Sequence, residues 1–199
     1  MAITAKCATT SSPESTKRIN TIFLDMDGVL CDFVSDALSY WGMTLEDLIA
    51  AGVWQPGEYD ICQVIDIPPP TFWSLLDSKG YDFWGDLAPY PWLNDLINLV
   101  TSYCDNCFIV TFPTGSNSAA GKLRWVREHL PAWEDRVILT KHKYLLAAPD
   151  RLLIDDSGTQ IDRFYYAGGK TILFPQHWNS MHYMDSMQGL REGLAVLCD

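Results

Sequence analysis

Apolar positions along the chain fall into two rhythms. Five short runs show no alternation with polar residues: 19–25 (INTIFLD), 107–111 (CFIVT), 136–140 (RVILT), 151–156 (RLLIDD) and 170–174 (KTILF). Runs of this kind predict strands that are covered on both faces. Elsewhere apolar residues recur every three or four positions, which predicts helices. One is expected over 32–41, with Phe33, Ala37, Leu38 and Trp41 on one face. A second over 43–52 opens with Thr44 as N-cap, carries Asp47 three residues on, and stops at Gly52. Others are expected over 71–80, 91–102, 118–130, 158–167 and 184–197. Strands alternating with helices predict an α/β fold with an open, mostly parallel sheet flanked by helices.

The stretch 33–87 breaks this alternation. It offers no strand, is irregular over 53–70, and is rich in aromatics, among them Trp54, Tyr59, Phe72, Trp73, Phe83 and Trp84. It is expected to be a small helical cap inserted after the first strand. The core would then be 19–32 and 88–199, and residues 1–18 a flexible tail.

Composition narrows the function classes. The 199 residues are 48% hydrophobic, enough for one domain with a sizeable core. The formal charge of −11 repels a phosphate backbone, which argues against a nucleic-acid polymer as partner. No run approaches the roughly 20 apolar residues of a membrane span, so no membrane partner is expected. Of six cysteines, Cys104 and Cys107 form a lone CxxC that precedes an apolar run instead of following one. Reduced thiols in a cytoplasmic protein are the expected reading. The Ser/Thr-rich start leaves organelle import as the alternative. Monomer and homodimer both remain open.

The chemistry lies at the strand ends, where parallel α/β sheets bind ligands. The first run ends in Asp25, with Asp27 and Gly28 just beyond. The second ends in Thr111. The third ends in Thr140, followed by Lys141, His142 and Lys143. The fourth ends in Asp155 and Asp156. Carboxylates gathered in one place stay ionised only with a cation among them. An all-oxygen donor set suits Mg²⁺, which commonly joins carboxylates to a substrate phosphate. A hydroxyl and a lysine aimed at the same place suit the non-bridging phosphate oxygens. The expected cofactor is therefore Mg²⁺ and the expected chemistry phosphoryl transfer.

"DMDGVL", "FIVT", "LTKHK" and "LLIDD", in that order, resemble the four motifs of the haloacid dehalogenase-type phosphohydrolases, whose core sheet is Rossmann-like. Within that superfamily, "DMDGVLCDF", "GYDFWGDLAPYP", "KLRWVREHL", "RVILTKHK" and "ILFPQHWNSMH" resemble the 5′(3′)-deoxyribonucleotidases. The resemblance implies that Asp25 is the nucleophile, forming an aspartyl-phosphate, and Asp27 the general acid and then base. Thr111 and Lys143 would hold the phosphoryl oxygens. Asp25, the Asp27 carbonyl, Asp155 and Asp156 would hold Mg²⁺, with Asp156 favoured as direct ligand and Asp155 as supporting. Phe33 would stack on the nucleobase, with Phe72, Trp73 and Trp84 as further candidates. Two positions depart from the mammalian-type pattern: Phe112 replaces a small polar residue and Lys141 an arginine, and both bear on base and sugar preference. The implied substrate is a small phosphomonoester, specifically a nucleoside monophosphate. The alternatives are a phosphatase or phosphotransferase for another organophosphate such as a sugar phosphate, and a non-catalytic nucleotide-binding module.

Overall fold

The computed structural model describes residues 19–198. The expected tail over 1–18 lies outside them. Five strands, β1 (Thr21–Leu24), β2 (Cys107–Thr111), β3 (Val137–Leu139), β4 (Arg151–Asp155) and β5 (Lys170–Leu173), form one sheet in the order β3-β2-β1-β4-β5. Every pairing is parallel. The central strands carry their apolar runs into a core on both faces: Ile22 and Leu24 face one cluster, while Phe23, Val110 and Leu153 join Phe164 in another.

The chain leaves β1 for β2 and β3 on one side, then crosses back to β4 and β5 on the other. β1 is thus the switch point, where the connections diverge and open a crevice at the carboxyl ends. Register brings those ends level. Leu24 pairs with Ile109 and with Ile154, so Asp25 lies beside Asp155, and its N–H donates to the Ile154 carbonyl at 2.9 Å.

Five helices stand between β1 and the next core helix: α1 (Phe33–Ser39), α2 (Leu45–Ala50), α3 (Ile61–Val64), α4 (Pro69–Ser78) and α5 (Gly80–Gly85). Asp32 caps α1 through the Ser35 N–H, and Thr44 caps α2 through the Asp47 N–H. The sequence pattern missed α3 and α5, which are too short to show a period. It also started α4 two residues late, because Pro69 at the first position of a helix costs nothing. The two ends of this stretch are tied together. The Asp32 N–H donates to the Ala88 carbonyl at 2.8 Å, the Tyr90 N–H to the Leu30 carbonyl at 3.0 Å, and the Ala88 N–H to Asp36 Oδ2 at 2.7 Å.

The remaining helices, α6 (Leu93–Tyr103), α7 (Ser116–His129), α8 (Gly158–Tyr166) and α9 (Ser186–Cys198), flank the sheet. α5 packs directly on α7. At Gly121 of α7, a Cβ would fall 2.5 Å from Trp84 Cβ and 2.3 Å from the Tyr81 carbonyl oxygen, so only glycine permits this approach. Trp125 of α7 adds a bond from its indole to the Leu87 carbonyl at 2.7 Å, and Arg124 pairs with Asp86 at 2.6 Å.

Candidate active site

The carboxyl ends of β1, β2 and β4 converge on a cavity of about 730 Å³. This lies within the range of about 300–1,000 Å³ typical of small-molecule sites. Its floor is polar: Asp25, Asp27, Thr111, Lys143 and Asp156 all line it. Lys143 sits on a 3-10 turn (Lys143–Leu146) after β3 and is buried. Its Nζ stands 2.7 Å from Asp25 Oδ1 and 2.7 Å from Asp155 Oδ2. Burial alone would favour the neutral amine, but attraction to Asp155 and Asp25 outweighs it and holds the ammonium above its usual pKa.

Asp25, Asp155 and Asp156 each offer an oxygen within 4.8 Å of the others. Their hydrogen bonds show which atoms remain open. Asp155 has both oxygens occupied, Oδ2 by Lys143 and Oδ1 by the Ser157 N–H at 2.9 Å. Asp156 Oδ2 accepts from the Trp178 indole at 2.6 Å, which leaves Oδ1. Asp25 Oδ1 accepts from the Met26 N–H at 2.8 Å and faces Lys143, which leaves Oδ2.

Three carboxylates share one ammonium, and two of them resist ionisation. Burial, then Asp155, pushes Asp25 up to about 7, and Lys143 only partly offsets this. Burial, Asp155 and Asp25 push Asp156 well above the carboxylate range, against the Trp178 bond. A buried, all-oxygen cluster with unbalanced negative charge and open oxygens on two members fits a hard divalent cation.

The loop after β5 shapes the cluster from behind. The Gln176 side-chain amide donates to the Gly28 carbonyl at 2.5 Å, and Asn179 Nδ2 bonds the backbone carbonyls of Asp156 and Phe174 at 3.0 and 2.8 Å. Gly28, at φ +77°, lies so close that a Cβ would come within 2.3 Å of Asp156 Oδ2.

The cavity walls are aromatic. Phe33 lies parallel to Trp73 (centroids 6.0 Å apart, 16°) and to Trp84 (5.7 Å, 12°), and all three line the space. Phe112 lines it too and is 44% exposed. Two candidates fall elsewhere. Phe72 is fully buried and stacks on Trp41 at 4.8 Å, away from the cavity lining. Lys141 is exposed and does not line the cavity either. Two buried polar atoms without a partner, Trp84 Nε1 and Gln160 Oε1, belong to lining residues.

Sequence reasoning passed over Lys122 and Trp178. Lys122 is wholly buried; its Nζ donates to Asp27 Oδ2 at 2.5 Å and to Thr111 Oγ1 at 2.8 Å. The available signal was position: Lys122 shares a helix face with Ser118, Trp125 and Val126, all buried. Trp178 gave no periodic signal, since it lies in a loop.

Comparison with known proteins agrees with this arrangement. The family model for the 5′ nucleotidase, deoxy (Pyrimidine), cytosolic type C proteins (NT5C) matches residues 18–189. No curated protein matches by sequence. Among solved structures, a haloacid dehalogenase (HAD) family hydrolase from Deinococcus radiodurans R1, with bound phosphate and sodium, superposes with a TM-score of 0.51. It is 17% identical over 88% of each chain. A hydrolase from Streptococcus pneumoniae TIGR4 gives a TM-score of 0.52 at 15% identity, covering 89% of this chain and 99% of its own. These likenesses establish the shared fold. The chain belongs to the NT5C family, within the haloacid dehalogenase-type phosphohydrolases, and is a phosphoric monoester hydrolase of the nucleotidase kind.

Proposed function

We propose that this member of the 5′ nucleotidase family is a Mg²⁺-dependent phosphomonoesterase that removes phosphate from deoxyribonucleoside monophosphates through an aspartyl-phosphate on Asp25. The observation that carries this reading is the open Asp25 Oδ2, on a carboxylate that clusters with Asp155 and Asp156 and lines the floor of an aromatic-walled cavity.

Asp25 attacks phosphorus through Oδ2, its other oxygen held by Lys143 and the Met26 N–H. The bond to the nucleoside oxygen breaks, and Asp27 gives that oxygen a proton. Asp27 then takes a proton from water, which attacks the aspartyl-phosphate and frees phosphate and Asp25. Thr111 and Lys143 hold the phosphoryl oxygens, where negative charge gathers. Asp156 Oδ1 and the Asp27 backbone carbonyl would hold the cation directly, together with the Asp25 oxygen that does not attack, and Asp155, both oxygens already occupied, would support them. When bound, the cation screens the carboxylates from the phosphate and draws charge from its oxygens.

The cavity chemistry supports a nucleotide. Phe33, Trp73 and Trp84 give flat apolar faces for a base, and the unpartnered Trp84 N–H and Gln160 Oε1 give it polar partners. The test is phosphate release from dUMP, dTMP, their 3′ isomers, ribonucleotides and sugar phosphates, with Mg²⁺ and with chelator. Deoxynucleotides should turn over fastest and only with the metal. Faster turnover of sugar phosphates overturns the substrate assignment, and full activity in chelator overturns the metal requirement.

A further inference from the structure

Lys122 has no role in the reaction just described, yet its surroundings are those of a working residue. It lies on α7, one residue after Gly121, where that helix comes into backbone contact with α5. From there its side chain passes over the Trp84 ring, 5.3 Å from the centroid, and ends between Asp27 and Thr111. Its exposure is 0%. An ammonium buried this deeply is costly unless its partners require it.

The hydrogen-bond inventory gives the contact a direction. A lysine ammonium has three N–H groups and accepts nothing. Thr111 Oγ1 must therefore be the acceptor in its bond with Lys122, and its own O–H remains to be donated elsewhere. Thr111 donates that O–H to no group among the described residues. Asp27 is fixed by the same nitrogen at Oδ2, while Oδ1 meets only the weak S–H donor of Cys31 at 3.6 Å.

We propose that Lys122 is a positioning residue for the phosphomonoesterase reaction: it aims the Asp27 carboxylate at the leaving oxygen and, by donating to Thr111, commits the Thr111 hydroxyl to donate to the phosphoryl group. One nitrogen on a core helix thereby aligns the proton-transfer group and a phosphate ligand that come from different strands. The inference rests on the phosphomonoesterase reading of the site.

A double-mutant cycle on the Mg²⁺-loaded full chain tests it. Lys122→Met lowers kcat by about 10²-fold, the lower end of what a general acid–base group supplies, and changes KM less than threefold. In an Asp27→Asn background the same change costs clearly less than it does alone, because one of its two targets is already gone. Losses that multiply in the double variant, or wild-type kcat in Lys122→Met, overturn the proposal. A second measurement needs no Lys122 variant to fold. In ¹⁵N-lysine-labelled protein without metal, one slowly exchanging ammonium signal should shift with Thr111→Val and with Asp27→Asn. Two buried ammonium signals that both ignore these changes overturn it equally. Wild-type protein that releases no phosphate defeats the functional reading instead, and leaves the ammonium measurement to judge Lys122.

Discussion

The Trp178 indole donates to Asp156 Oδ2 at 2.6 Å, and this single bond leaves Oδ1 open on a carboxylate that clusters with Asp25 and Asp155. A loop residue after the last strand thus aims a carboxylate at the end of the fourth. Removing such a partner of a metal-binding group typically weakens metal affinity by about 10–100-fold. Trp178→Phe keeps the buried ring but loses the donor. Calorimetric Mg²⁺ titration should show a loss of that order with the fold intact; unchanged affinity would mean that the bond does not orient the ligand.

Gly28 lies against the same carboxylate oxygen. Gly28→Ala would put a methyl group 2.3 Å from Asp156 Oδ2 and force alanine into a positive φ. The backbone term alone costs roughly 1–2 kcal/mol. The variant should therefore melt below wild type and also bind Mg²⁺ more weakly. Thermal unfolding with and without Mg²⁺ checks both, and the stabilisation that the metal confers should shrink.

The raised pKa of Asp25 predicts an unusual pH dependence for the metal-free protein. Unfolded, this carboxyl ionises near 3.9; folded, at about 7. Between those values the folded state holds a proton that the unfolded state has lost. Its contribution to stability is therefore complete below the lower value and lost as pH rises through the upper one. Asp25→Asn removes this titration. The difference in melting temperature, wild type minus Asp25→Asn, should fall from pH 4 to pH 8 without metal. Saturating Mg²⁺ should flatten that fall. A difference that rises over this range contradicts the assigned direction.

Phe112 stands directly after Thr111 and is an exposed part of the cavity wall. Phe112→Ser opens that wall without touching the polar floor. The ratio of kcat/KM for purine over pyrimidine deoxynucleotides should rise about tenfold, in line with apolar pocket discrimination. An unchanged ratio with altered rates for both would place Phe112 outside base selection.

The sheet and the polar floor were legible in the sequence because both are local signals. Unalternated runs such as CFIVT mark strands, and a carboxylate or hydroxyl at their ends marks the crevice. What was hidden depends on how elements meet. Phe72 and Trp73 are adjacent and look alike, but the turn of α4 sends Phe72 inward onto Trp41 and leaves Trp73 beside Phe33. Lys122 reads as an ordinary helix lysine until α7 is seen packed against α5, which turns its face inward. The close approach of α5 to α7 at Gly121 likewise left no signal in the sequence pattern.

The central claim is that Asp25 carries the phosphoryl group during turnover. Mg²⁺-loaded protein turning over a deoxynucleoside monophosphate should be quenched in acid, reduced with borohydride and digested for mass spectrometry. A phosphoryl group on Asp25 converts that residue to homoserine. The account predicts homoserine at position 25, absent without substrate and absent in Asp25→Asn, whose phosphate release should fall to background. An unmodified position 25 in the wild type, together with wild-type phosphate release from Asp25→Asn, would contradict it.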